Sequence, residues 1–188
     1  MQFTRVIPVL LLKNNGLVKT VKFKNSKYIG DPINAMKIFN TKEVDELVIL
    51  DIMATKNKRE PDYKFIKEIV SEAFMPIGYG GGVSKLEHIC KLFKLGVDKV
   101  IINSAAILAP DLINKASEIY GNQSIIVSVD VKKDIWGQYK LYSHPNNKKT
   151  KLDLFQFIKK IESLGAGEII INSVDNDGVM NGYDNNLV

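Results

Sequence analysis

Short apolar runs, rich in β-branched residues, alternate along the chain with longer amphipathic ones. The short runs cover residues 6–12, 47–50, 76–79, 100–102, 125–129 and 169–171. They are almost continuously apolar, which predicts strands covered on both faces, as in a parallel sheet. The longer runs carry apolar side chains at helical spacing. Asp31-Pro32 supplies an N-cap followed by proline at the first helical position, and Ala35, Met36 and Phe39 then share a face. Ile66, Ile69, Val70 and Ala73 form the next stripe. Leu86, Ile89, Cys90 and Phe93 form another, closed by Gly96. Leu112, Ala116, Ile119 and Tyr120 are closed by Gly121, and Leu154, Ile158, Ile161 and Leu164 by Gly165. Strand followed by helix, repeated, predicts an α/β fold with parallel strands.

Two parallel architectures compete. A closed (β/α)8 TIM barrel takes about 250 residues, roughly 31 per unit. Six units in 188 residues match that allowance. The expected architecture is one (β/α) barrel domain over residues 1–188, present as about six βα units with the C-terminal two missing. An open six-stranded sheet is the alternative. An internal echo favours the barrel, because a pseudo-symmetric barrel is two equal halves. Val9-Leu10-Leu11-Leu12-Lys13 resembles Ser128-Val129-Asp130-Val131-Lys132, and Glu46-Leu47-Val48-Ile49-Leu50 resembles Glu168-Ile169-Ile170-Ile171-Asn172. The halves are expected at about 1–120 and 121–188.

Composition narrows the class. With 45% apolar and 25% charged residues, 13 Gly and 6 Pro, the chain is neither disordered nor collagen-like. No apolar run approaches the ~20 residues that span a bilayer, and Met1-Gln2-Phe3-Thr4-Arg5 lacks the layout of a secretory signal. A single cysteine, Cys90, excludes an internal disulfide framework. A cytoplasmic location is the expectation. The net charge of +5 mildly favours anionic partners and is no concentrated footprint for nucleic acid.

In such barrels chemistry sits at the C-terminal strand ends. The third strand runs into Tyr79-Gly80-Gly81-Gly82-Val83, whose glycines let backbone N–H groups approach a ligand closely. The fourth ends in Asn103-Ser104-Ala105-Ala106. The two turns together suggest a phosphate cradle; a tight turn before a helix is the plainer reading. The sixth strand runs into Asn172-Ser173-Val174-Asp175-Asn176-Asp177-Gly178, either a second phosphate or substrate loop or a polar turn. Asp130 ends the fifth strand and suits a general acid or base, a role worth ~10²–10⁴ in rate; capping the next turn is the alternative. Asp51 ends the second strand, where a structural hydrogen bond is the simpler role. At the opposite strand ends stand Arg5, Glu46, Lys99 and Glu168, two of each sign. They suggest salt bridges across the bore, for stability or as a gate. His88 on a helix surface and His144 in a loop have no partner at metal spacing and read as solvated. Cys90 reads as core. Trp136, Tyr139 and Tyr142 suggest a hairpin flap, and Lys148-Lys149-Thr150-Lys151 a solvated loop.

These pieces resemble a family. Val44-Asp45-Glu46-Leu47-Val48-Ile49-Leu50-Asp51, Tyr79-Gly80-Gly81-Gly82, Gly96-Val97-Asp98-Lys99-Val100, Asn103-Ser104-Ala105-Ala106, Val127-Ser128-Val129-Asp130, Gly165-Ala166-Gly167-Glu168-Ile169 and Asp175-Asn176-Asp177-Gly178 with Gly182-Tyr183-Asp184 occur in one order. Over the chain from Arg5 to Val188 they are similar to the cyclase subunit of imidazole glycerol phosphate synthase. The resemblance implies a (β/α)8 lyase of histidine biosynthesis. Such an enzyme takes ammonia from a glutaminase partner through the barrel and adds it to a phosphorylated ribonucleotide. No cofactor, metal, nucleic acid or membrane partner is expected. The resemblance implies one phosphate site at Gly81, Gly82, Asn103 and Ser104, and part of a second, with substrate contacts, at Asn172, Asp177 and Gly178. Lys19 falls in the loop over the active site, Arg5, Glu46, Lys99 and Glu168 match the ammonia gate, and Asp98 matches the glutaminase interface.

One position departs. The family pattern has two catalytic aspartates; Asp130 matches the second, and the first position is Leu11. A leucine transfers no proton. The Ile7-Pro8-Val9-Leu10-Leu11-Leu12-Lys13 opening and Phe23-Lys24-Asn25 are similar to a paralogous branch found with surface-polysaccharide genes. There the barrel and its glutaminase are thought to supply ammonia to a sugar amidotransferase that makes acetamidino groups. A non-catalytic ammonia conduit and a related phosphosugar isomerase complete the alternatives.

Overall fold

A computed structural model describes residues 5–143, 148–150 and 152–187. The protein is an α/β fold whose sheet is mostly parallel. The chain divides into two compact units, residues 5–18 with Tyr28–Ile101 and Lys19–Lys27 with the residues from Ile102 onward.

The elements of the first unit are β1 (Val9–Lys13), β2 (Gly16–Val21), β3 (Lys24–Gly30), α1 (Pro32–Thr41), β4 (Leu47–Asp51), α2 (Tyr63–Ser71), β5 (Ile77–Gly80), α3 (Leu86–Lys94) and β6 (Lys99–Ile102). Strands β2 and β3 lend their turn to the second unit. Strand β1 lies parallel to β4, β4 to β5, and β5 to β6, while β1 and β2 are antiparallel. Leu47, Val48, Ile49, Ile77, Tyr79, Val100 and Ile101 are buried, along with Ile66, Ile69, Ile89 and Leu92 from the helices. Covering each strand on both faces removes apolar area from water, the main stabilising term. Asp31 caps α1 by accepting a hydrogen bond from the Asn34 amide at 3.0 Å, ahead of Pro32 at the first helical position.

The second unit holds α4 (Ser104–Leu108), α5 (Asp111–Tyr120), β7 (Ile125–Lys133), β8 (Tyr139–Ser143), β9 (Lys148–Lys149), α6 (Leu154–Ser163) and β10 (Glu168–Ser173). Strand β7 is parallel to β10 and antiparallel to β8, which pairs with β9. Ile125, Ile126, Val127, Val129 and Val131 are buried, as are Ile113, Ala116, Leu154, Phe157 and Ile161. Helices α3, α5 and α6 end one or two residues before Gly96, Gly121 and Gly165, as the spacing predicts.

Several elements differ from the sequence pattern. Strand β1 starts at Val9, because Val6 is 76% exposed and has no sheet partner in that register. The β2–β3 hairpin was not predicted. The turn from β1 into β2, Asn14-Asn15, has φ of 51° and 61°, and the turn from β2 into β3, Lys22-Phe23, has 52° and 58°. Both are the left-handed pairs that suit a twisted hairpin. Asn-Asn advertises such a turn; Lys-Phe does not. Strand β7 does not end at Asp130 but continues to Lys133 and folds back as the hairpin flap carrying Tyr139 and Tyr142. Asp134 closes that flap by accepting the Trp136 and Gln138 amides, each at 2.9 Å. Lys148-Lys149 is strand β9, not loop; backbone pairing with β8 needs no apolar pattern. His144 and Lys151 lie outside the described residues. Among the described residues no helix is long and apolar enough to cross a membrane.

Candidate functional site

The second unit contains a buried carboxylate held on both sides. Asp130 on β7 is 4% exposed. Ser128, two residues earlier, shares its face of the strand. Asn172 on β10 is the direct register partner of Asp130. Its Nδ2 donates to Asp130 Oδ1 at 2.8 Å and to Ser128 Oγ at 3.0 Å. Asn103, just ahead of α4, donates Nδ2 to Asp130 Oδ2 at 2.9 Å and to the Ser128 carbonyl at 3.0 Å. Two amides thus hold one oxygen each and set the plane of the carboxylate. An ionised carboxylate only accepts, so both amides turn their N–H groups toward it. Ser104 Oγ donates to Asn103 Oδ1 at 3.4 Å.

The Asp-rich turn after β10 grips the tip of the β2–β3 hairpin. Asp177 Oδ2 accepts from Thr20 Oγ1 at 2.8 Å and from the Phe23 amide at 2.9 Å, and its carbonyl accepts the Lys22 amide at 2.9 Å. Gly178, with φ of 64°, packs its α-carbon against the Thr20 carbonyl, where a side chain would clash. Lys19 is exposed on that hairpin. Asp175 accepts the Lys133 amide at 2.9 Å. Asp184 accepts Tyr139 Oη at 2.6 Å and pairs with Lys133 Nζ at 3.3 Å. The Tyr139 hydroxyl, then Lys133, hold the Asp184 carboxyl below its usual range.

In the first unit the glycine turn follows β5. Gly81 and Gly82 have φ of 120° and 71°. A Cβ on Gly81 would meet the Asp51 carbonyl at 2.5 Å, and one on Gly82 the Arg59 carbonyl at 2.6 Å. Glycine is therefore required both by the backbone and by the close approach of the segment after β4. Gly82 donates its amide to Thr55 Oγ1 at 3.4 Å. Asp51 accepts the Met53 and Ala54 amides at 2.9 and 3.0 Å and pairs with Arg59 at 2.9 Å, a structural role. His88 corrects the sequence reading: it is 8% exposed, not solvated, and its Nδ1 lies 3.1 Å from the Gly82 carbonyl. The helical stripe missed it because a polar contact, not an apolar one, buries it. Cys90 is half-buried.

At the start of the strands Glu46 is 2% exposed. Its Oε2 takes Lys99 Nζ at 2.8 Å and Arg5 Nη1 at 3.3 Å, while Oε1 has no hydrogen-bond partner among the described residues. Glu168 opens β10 in the second unit. Asp98 is exposed; its carboxylate accepts the Ile77 amide at 2.8 Å. Beside it lies a groove of about 300 Å³ lined by Phe74, Met75, Pro76 and Gly96. Phe74 is exposed. The structure thus brings together Asn103, Asp130 and Asn172, then Asp177 and Gly178 with the hairpin that carries Lys19, and finally Arg5, Glu46 and Lys99. Ser128, Thr20, Thr55 and His88 were missed; only Ser128, two positions before Asp130 on a strand, was legible.

Parallel strands with a polar cluster on their later residues define an α/β protein with a mostly parallel sheet. Residues 5–188 match the family model described as "Histidine biosynthesis protein". The chain is 51% identical over 184 residues to a Pseudomonas aeruginosa protein named "Putative imidazole glycerol phosphate synthase subunit hisF2", covering 98% of this chain and 73% of that one. It is 41% identical over 184 residues to the imidazole glycerol phosphate synthase subunit HisF of Petrotoga mobilis, covering 97% and 73%. It is 38% identical over 184 residues to the HisF subunit of Streptomyces griseus, covering 98% and 73%. The chain belongs to the histidine biosynthesis protein family.

Proposed function

We propose that this chain is a cyclase-type subunit of the imidazole glycerol phosphate synthase kind, its strands those of a (β/α)8 barrel. It receives ammonia from a glutaminase partner and handles it beside a phosphorylated, ribonucleotide-type substrate. The observation that carries this reading is Asp130, buried and held by Asn103 and Asn172, on a chain whose relatives bear that enzyme's name. In this role Asp130 takes a proton from the attacking nitrogen. Gly81 and Gly82 in the first unit, and Asn103 and Ser104 in the second, are each candidates for binding phosphate through turn and helix-start groups; Asn172, Asp177 and Gly178, with Lys19, serve the far end of the substrate. Arg5, Glu46 and Lys99 in the first unit, and Glu168 in the second, are the candidates for gating ammonia, and Asp98 with the groove beside Phe74 meets the glutaminase.

Leu11 favours a second reading. It pairs with Leu50 on β4 as Asp130 pairs with Asn172 on β10, so the first unit has an apolar pair where the second has its polar one. With a single proton-transfer carboxylate the subunit relays ammonia to a separate acceptor, such as a sugar amidotransferase, and cyclises poorly. Turnover of the family's ribonucleotide with ammonium salt separates the readings. Slow turnover in the natural chain, raised about 10²-fold or more by Leu11→Asp and abolished by Asp130→Asn, is expected. Turnover indifferent to Asp130→Asn sinks the role given to that carboxylate. Full-rate turnover with Leu11 in place sinks the relay reading.

A further inference from the structure

His88 stands on the first turn of α3, behind the glycine turn. Its Nδ1 is 3.1 Å from the Gly82 carbonyl, and the Ser84 amide points its N–H at the same nitrogen from 3.4 Å. A carbonyl only accepts, so the shorter contact is a hydrogen bond in the tautomer that carries its hydrogen on Nδ1, and in that tautomer the longer bond from Ser84 is given up. The other ring nitrogen faces outward, 3.9 Å from Glu60 Oε2, a carboxylate that also meets Lys91 Nζ at 3.6 Å and Tyr63 Oη at 3.2 Å. The ring is therefore wedged between the turn and the loop that precedes α2.

Covalent geometry gives this contact a consequence. The chain has no cis peptide among its described residues, and across a trans peptide the C=O and the following N–H point in opposite directions. Drawing the Gly82 carbonyl onto His88 turns the Val83 N–H away from the ring. A glycine peptide has no side chain to hold its plane and rotates more freely than any other. Its orientation must come from outside. Thr55 holds the amide on one side of Gly82, and His88 holds the carbonyl on the other.

We propose that His88 is a positioning residue for anion binding: by fixing the Gly82–Val83 peptide it aims the Val83 N–H at a phosphate of the substrate. The proposal rests on the phosphate role given above to the glycine turn. A ring that merely fills space would be replaced by leucine without loss of anion binding. A bracing donor is replaced only by a group that puts an N–H where Nδ1 stands. Asparagine does so; glutamine puts its amide where Nε2 stands.

The test is titration of the full chain, isotopically labelled, with inorganic phosphate, following the backbone amide signals of Gly81 to Ser84. His88→Asn, His88→Gln and His88→Leu are compared with the natural protein, and circular dichroism checks that each is folded. The Val83 signal is expected to shift with phosphate in the natural protein and in His88→Asn at similar concentrations. In His88→Gln and His88→Leu the midpoint is expected to rise about tenfold, the value of one hydrogen bond. Leucine and glutamine variants within twofold of the natural protein overturn the proposal, as does an asparagine variant as weak as leucine. If leucine prevents folding, the asparagine and glutamine variants decide. No phosphate response in the natural protein overturns the phosphate role and this proposal together; a response that all variants share overturns this proposal alone.

Discussion

Two buried carboxylates are kept in this molecule by opposite means. Asp130 has amide donors on both oxygens, whereas Glu46 has two cations on one oxygen. Amides orient a carboxylate and leave its charge in place for chemistry; cations neutralise it. The two sites should therefore respond differently to loss of a partner. Asn172→Leu removes the amide donor from Asp130 Oδ1 and is expected to cost about 1–3 kcal/mol of stability. Urea unfolding measures this, and ammonium-dependent turnover should fall with it. Lys99→Met leaves Glu46 only the half-exposed Arg5, and a cost of about 3 kcal/mol is expected. Adding Glu46→Gln should recover most of it. A Lys99→Met protein as stable as the natural one would mean that Arg5 alone suffices. Asp130, Glu46 and Lys99 were legible because each charge interrupts or bounds an apolar run. The amides that hold Asp130 were read as ligand contacts, because a one-dimensional pattern does not say that Asn172 lies beside Asp130.

At the scale of elements, the turn after β10 acts as a clasp. Asp177 holds the β2–β3 hairpin through a hydroxyl and a backbone amide, and Asp184 holds the β7–β8 hairpin through Tyr139 and Lys133. Asp177→Ala removes the first clasp. Trypsin should then cut faster after the exposed Lys22 and Lys24, while the remaining chain resists as before. Equal cutting rates would show that the hairpin is held by its own pairing. The second clasp is pH-dependent. The Asp184 carboxyl titrates below its usual value of about 3.8, so its ionised form stabilises the fold at pH above that value. The contribution is lost as the pH falls through the lowered, folded-state value. Amide exchange of residues 175–184 is expected to quicken on acidification below about pH 3.8, and Asp184→Asn should quicken it already at neutral pH. The sequence showed the flap through Gly137 and its aromatic neighbours. It hid the clasps, since an aspartate in a polar turn looks the same whether it holds a hairpin or faces water.

Across the whole molecule, each unit contains one strand flanked in the same way. Strand β1 has β2 antiparallel on one side and β4 parallel on the other; β7 has β8 and β10. The internal echo of the sequence therefore corresponds to a shared arrangement of strands, and the echo aligns Leu11 with Asp130 and Leu50 with Asn172. This equivalence makes a sharper prediction than Leu11→Asp alone. A carboxylate at position 11 would face Leu50, which offers no donor, and a half-buried charge without a partner is costly. Leu11→Asp/Leu50→Asn supplies the amide that Asn172 gives to Asp130. The double variant should be more stable than Leu11→Asp by about 1–2 kcal/mol, and its ammonium-dependent turnover should exceed that of the single variant. Leu50→Asn alone should only destabilise, since it buries an amide opposite Leu11. The decisive quantity is the coupling between the two substitutions in urea unfolding. Additive effects would mean that the first unit has diverged too far to rebuild the pair.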